Sequence, residues 1–157
     1  MDDIVYTSSS EELMLEFKFD MMNRNDGSES TDEGVYRHIV GNLLYLTATR
    51  PDIMFPVSLL ARFMHSHSKK HLGTAKRVLR YIQGTIDFGI EFEKRKKAVF
   101  IGYCDSDWSG SEDDMKSTSE YAFTFGSGVF SWASVKQHSL ALSTAETEYV
   151  SAAEATT

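Results

Sequence analysis

Residues 98–104 read Ala-Val-Phe-Ile-Gly-Tyr-Cys, and they are followed at once by Asp105-Ser106-Asp107. The run is apolar at odd and even positions alike, as a strand covered on both faces requires, so it predicts the central strand of a sheet. By alternation Asp105 shares a face with Val99, Ile101 and Tyr103, and Asp107 falls on that face one pleat further. An acid at the end of a central strand lies where open sheets build their binding sites. Asp-Ser-Asp is equally common turn chemistry where a strand ends.

Period-two patterning extends on both sides of this run. Phe88, Ile90 and Phe92 alternate with polar or small residues, and the basic run Lys94 to Lys97 supplies a turn. Further strands are expected at 121–125, 129–132 and around 138–142, with Gly126 and Gly128 at a turn. The segment 144–155, rich in alanine and glutamate, predicts a helix. Strands followed by a helix give an α+β or α/β sheet domain from about residue 86. The chain stops where such a domain would need further helices and strands.

The period changes upstream. Residues 11–22 predict a short helix and NRNDGSESTDEG at 23–34 a linker. Ser30 and Glu33 have capping-box spacing ahead of a helix whose stripe is Tyr36, Ile39, Val40, Leu43 and Leu44. Arg50-Pro51 ends it. The next stripe is Ile53, Val57, Leu60, Ala61 and Met64. Pro56 within it costs roughly 3 kcal/mol if the segment is already regular helix. A third helix puts Leu72, Ala75, Leu79 and Ile82 on one face and stops at Gly84.

The chain has 157 residues, about one domain in length, with 41% hydrophobic and 25% charged residues and a net charge of −7. That charge argues against a general phosphate-binding surface, because such surfaces depend on Lys and Arg. A lone cysteine, Cys104, excludes an internal disulfide and suits an intracellular protein, cytoplasmic or nuclear. The acidic start carries no signal-peptide pattern, and the apolar stretch 53–64 is too short to span a bilayer.

A second acid stands out in Ser143-Thr144-Ala145-Glu146-Thr147-Glu148-Tyr149. Ser143 and Glu146 have capping-box spacing. Steps of three and four join Ala145, Glu148 and Ala152, which places Glu148 in an alanine stripe expected to face the sheet. A buried carboxylate is costly unless it is paired or bound to metal. Asp105 and Glu148 are therefore expected to meet beneath the helix, and paired carboxylates there suit Mg²⁺. The corresponding chemistry is two-metal phosphodiester hydrolysis with ions about 4 Å apart, for which two acids are too few. His65, His67 and His71 straddle a loop and read as structural or solvated, Trp108 and Trp132 as core, and Cys104 as a buried small residue.

Several ordered motifs carry a resemblance. Tyr36-Arg37-His38-Ile39-Val40-Gly41-Asn42-Leu43-Leu44-Tyr45-Leu46-Thr47, Thr49-Arg50-Pro51-Asp52-Ile53 and the segment from His71 to Ile82 resemble the link between reverse transcriptase and ribonuclease H in copia-type retrotransposon Pol polyproteins. Gly102 to Gly110 resembles the first catalytic strand of that ribonuclease H, and Lys116-Ser117-Thr118-Ser119 and Ser143 to Tyr149 its later hallmarks. The resemblance implies a ribonuclease H-like fold and Mg²⁺-dependent cleavage of RNA in RNA–DNA hybrids. It makes Asp105 the first catalytic, metal-binding aspartate and Glu148 the helix glutamate. The family's third acid lies on a strand beyond this helix, and the chain ends at Thr157. Residues 2–10 resemble the strand after the polymerase's catalytic Asp pair, without the rest of that active site, so no polymerase activity is implied.

The division expected is a polymerase remnant (1–23), a linker or deletion junction (24–34), a helical link (35–85) and a truncated ribonuclease H-like domain (86–157). Pro56, and Glu120 where the family has glycine, depart from the pattern and suggest decay. Three functions follow: a degenerate Pol fragment without catalysis; an active nuclease whose missing ligands come from a partner; and an adopted interaction or effector-like protein. The last would use the exposed edge of an incomplete sheet, which also invites self-association.

Overall fold

The computed structural model describes residues 33–94, 97–111 and 114–157. The helix expected at 11–22, most of the linker, Ser30 and the polymerase-like segment lie outside the described residues. The fold is α+β, with helices α1 (Glu33–Leu46), α2 (Met54–Arg62) and α3 (Lys69–Gly84), strands β1 (Phe100–Asp107), β2 (Thr118–Phe125) and β3 (Gly128–Lys136), and helix α4 (Thr144–Ala155). The chain divides into two compact units, one ending at Phe88 and the other running Gly89–Thr157.

The first unit is a small helical layer. Tyr36, Val40 and Leu43 of α1 pack with Val57 and Leu60 of α2 and with Ala75 and Val78 of α3, and Ile53 closes the cluster. Tyr36 is fully buried and its hydroxyl donates to the Leu60 carbonyl at 2.8 Å. Burial raises the Tyr36 phenol far above its ordinary range. The His67 ring stacks on Tyr36 with centroids 4.4 Å apart.

Pro56 fits without the cost expected of it. A 3₁₀ turn over Pro51–Ile53 precedes α2, so Pro56 is the third residue of a helix starting at Met54. The amides of a first turn have no α-helical partner to lose, and the missing N–H is harmless there.

The inner face of α3 keeps Leu72, Ala75 and Ile82 of the expected stripe. His71, Thr74 and Val78 are buried beside them, and Leu79 is 43% exposed. The N-terminal cap fixes this orientation. Ser68 Oγ accepts from the His71 N–H at 3.4 Å, and His71 Nδ1 accepts from the Ser68 N–H at 3.0 Å, a capping box with histidine in the usual Glu/Gln place. The His71 ring also stacks on Phe63 at 4.2 Å.

Arg50 and Asp52 lock the α1–α2 corner to the end of α3. The guanidinium grips the Asp52 carboxylate with Nε at 2.9 Å and Nη2 at 2.6 Å, and it also reaches the Thr85 carbonyl and hydroxyl. Tyr81 donates its hydroxyl to the same carboxylate at 2.9 Å.

The second unit is an antiparallel three-stranded sheet in the order β1-β2-β3, with a bulge at Phe123/Thr124 on the β2–β3 side. Gly126 takes φ +66 in the β2–β3 turn, a left-handed conformation that suits glycine. Among the described residues the apolar strand expected to be central lies at the edge of the sheet, with Phe100, Ile101 and Tyr103 exposed, and it continues through Asp107. Cys104 is exposed rather than buried.

Two expected strands do not form. The 88–92 alternation is present, but the segment touches the β2–β3 hairpin only locally: Glu93 N–H donates to Ser127 Oγ, and the Phe92 ring covers Gly128. Residues 138–142 are a loop. The Ala141 carbonyl accepts from Trp108 Nε1 at 3.1 Å and the Leu142 N–H donates to Glu146, so no ladder remains for them. Trp108 is 47% exposed, anchored by that bond rather than immersed in a core.

Candidate functional site

α4 begins as its sequence dictates. Ser143 is the N-cap and accepts from the Glu146 N–H at 3.2 Å, while the Glu146 carboxylate accepts from Leu142 N–H at 2.7 Å. What the helix turns toward the sheet is not the alanine stripe. Thr147 and Ser151 are buried, and Ala145, Glu148 and Ala152 are exposed.

This rotation, about one residue or 100° around the helix, follows from the polar surface the sheet offers. Ser117 and Ser119 are buried beneath the helix, and Gln137 lies beside them at 1% exposure. Gln137 Nε2 donates to Ser119 Oγ at 2.9 Å and to the Thr147 carbonyl at 3.1 Å. Ser117 Oγ and Thr147 Oγ1 are 3.2 Å apart. Small hydroxyl side chains satisfy these groups, and alanine cannot.

The expectation that Asp105 and Glu148 meet beneath α4 is thereby corrected. The space beneath the helix is filled by the hydroxyl and amide network, and both carboxylates belong to residues exposed to water. The helix nonetheless touches the strand beside Asp105. Ser151, one helical turn after Glu148, donates its hydroxyl to the main-chain carbonyl of Asp105 at 2.6 Å.

Two further contacts define Asp105. Its Oδ1 accepts from the Ser106 N–H at 2.8 Å. In register it stands opposite Glu120, which stands opposite Ser134. Like charges directly across a ladder repel. Ser134 Oγ donates to Glu120 Oε1 at 2.9 Å and so compensates part of the cost of Glu120.

Among the described residues no three His, Cys, Asp or Glu side chains are grouped to hold a metal ion. Asp105 and Glu148 are both exposed to water, and the Asp105 carboxylate is engaged by the Ser106 amide. The histidines belong to the first unit's framework, His71 through its cap and His67 through its stack. Asp114 is the carboxylate with a distinct electrostatic setting in the second unit. Slight burial opposes its ionisation, but the hydrogen bond from Lys136 at 2.6 Å prevails and holds it down at about 2.

Sequence reasoning missed the Arg50–Asp52–Tyr81–Thr85 lock and the Gln137 network. The first had a local signal in Arg-Pro-Asp, where proline holds two opposite charges close together. The second had none, because buried hydroxyls leave no trace in an apolar period.

Comparison with known proteins places the chain among transposon sequences. It is 43% identical over 127 residues to a retrovirus-related Pol polyprotein from transposon RE1 of Arabidopsis thaliana, covering 81% of this chain and 9% of that protein. It is 41% identical over 129 residues to the Pol polyprotein from transposon RE2 of the same plant, with 82% and 9% covered. It is also 42% identical over 122 residues to secreted RxLR effector protein 161 of Plasmopara viticola, with 77% and 86% covered. The chain thus spans about a tenth of the length of the Pol polyproteins it matches. No family model matches it. No solved structure matches it. No helix among the described residues is long and apolar enough to cross a membrane.

Proposed function

Since this chain belongs to the copia-type retrotransposon Pol polyproteins, we propose that it is their link and ribonuclease H-like segment, and that alone it does not cleave nucleic acid. The observation that carries this reading is the setting of Asp105 and Glu148: two carboxylates, both exposed to water, with no group of three metal-ligating side chains among the described residues. Two-ion hydrolysis needs carboxylates that bridge and hold both ions in a shaped, water-poor cavity. By the resemblance, Asp105 and Glu148 would hold the metals of the complete enzyme together with a further strand-borne acid.

The direct test is cleavage of an RNA–DNA hybrid by the 157-residue chain in millimolar Mg²⁺ or Mn²⁺. Turnover is expected to be no greater than that of Asp105→Asn. Strong metal-dependent cleavage that disappears in Asp105→Asn would overturn the reading and favour a nuclease completed by a partner molecule.

A second reading rests on the effector relative. The chain covers 86% of that protein, so this stretch also makes up the bulk of a much shorter protein. The same segment can then serve as an adopted, non-enzymatic interaction module. That role requires the chain to fold alone, and dispersed amide signals in solution are the expected result. A collapsed spectrum would rule it out.

A further inference from the structure

Among the described residues β1 pairs on one side only, with β2. The Val99 carbonyl accepts from Gly126 N–H at 3.0 Å, and the register runs on to Asp105 opposite Glu120, so the odd-numbered residues bond to β2. In an antiparallel ladder the next residues turn their amides and carbonyls the other way. Phe100, Gly102 and Cys104 therefore aim theirs at the outer edge, where the sheet has no further strand among the described residues. Ser106 is the exception, its N–H being held by the Asp105 carboxylate. The flanking side chains Phe100, Ile101 and Tyr103 are 61%, 42% and 51% exposed. An open edge with an apolar flank is a template for strand addition.

The charge along this strand selects its occupant. The basic run Lys94 to Lys97 precedes β1, and Asp105 and Asp107 lie at its other end. A parallel copy would set like charges against each other, whereas an antiparallel copy sets the basic end against the acidic end. We infer that β1 of a second copy of this chain pairs antiparallel with β1, centred on Gly102.

In that register Gly102 opposes Gly102, and Phe100 opposes Cys104 of the second copy, so the outward backbone groups of all three residues bond across the seam. Ile101 opposes Tyr103 at the closely spaced sites, covering apolar surface that is now wet. Lys97 opposes Asp107 at both ends. The arrangement is two-fold and closes on itself, giving a dimer with one continuous sheet rather than a filament. It does not depend on whether the chain cleaves nucleic acid.

Sedimentation equilibrium of the 157-residue chain tests this, with an expected mass twice that of the 17.7 kDa chain. Lys97→Glu and Asp107→Lys are each expected to weaken association at least about tenfold, since both symmetry-related pairs turn repulsive. Mixing the two variants restores association, because each supplies the charge the other has lost. Cys104→Pro removes an outward amide without removing a β1–β2 ladder bond, and it yields a monomer whose circular dichroism remains that of the folded chain and whose melting temperature no longer rises with concentration. A wild-type chain that stays monomeric up to roughly 100 µM, or a mixture that fails to re-associate, overturns the proposal.

Discussion

Asp52→Asn destabilises the helical unit by about 2–3 kcal/mol. Removing one member of a buried pair leaves an uncompensated charge, which typically costs about 3–5 kcal/mol. Here Arg50 is 9% exposed along its side chain and Asp52 is 28% exposed, so water recovers part of the loss. Thr85 still accepts from the guanidinium, which softens it further. Tyr81→Phe deletes a single bond to the same carboxylate and costs about 1 kcal/mol.

The pair also sets a pH dependence. Burial works against the charged Asp52 carboxylate, but the hydrogen bonds from Arg50 and Tyr81 overcome it and hold the group below its usual range. A depressed folded-state value means that the stabilisation is complete above about pH 4, where the unfolded carboxyl is ionised too, and drains away as pH falls through the folded value. Urea titrations followed by helical circular dichroism at pH 7 and pH 3 read this directly. Acid sensitivity that persists unchanged in Asp52→Asn would place its origin elsewhere.

Gln137→Ala is expected to cost the sheet unit about 2–4 kcal/mol. The substitution empties a fully enclosed volume and removes both bonds from the amide nitrogen, to Ser119 Oγ and to the Thr147 carbonyl. Gln137→Met separates these effects. It refills the space but supplies no donor, and a deficit of about 1–2 kcal/mol should remain. Complete recovery in Gln137→Met would show that the amide contributes volume alone. Both tryptophans, Trp108 and Trp132, lie in this unit, so their fluorescence reports its unfolding separately from the helical unit.

The residues show where sequence reading succeeds. The helical stripe of Tyr36, Val40 and Leu43 is legible because a packed apolar face repeats at the helical period. The limits of α4 are legible from Ser143 and its alanine-rich body. The facing of α4 is not, since Thr147 and Ser151 look like surface residues until Ser117, Ser119 and Gln137 are placed under them. Glu148 therefore read as an inward acid, although its helix had a better polar side to bury. His71 escaped for a related reason, because an imidazole fills the role that a glutamate or glutamine usually takes in a reciprocal cap. β1 was misjudged differently. Its composition suits a strand covered on both sides, and the described sheet covers neither side fully.

The contrast between the two interiors reaches into their response to temperature. Unfolding the helical unit wets Val40, Leu43, Val57 and Leu60, and newly hydrated hydrocarbon raises the heat capacity. Unfolding the sheet unit wets serine and threonine hydroxyls and an amide beneath α4, which lower it. The helical unit's stability is thus expected to follow the more sharply curved dome and to weaken more on chilling than the sheet unit's.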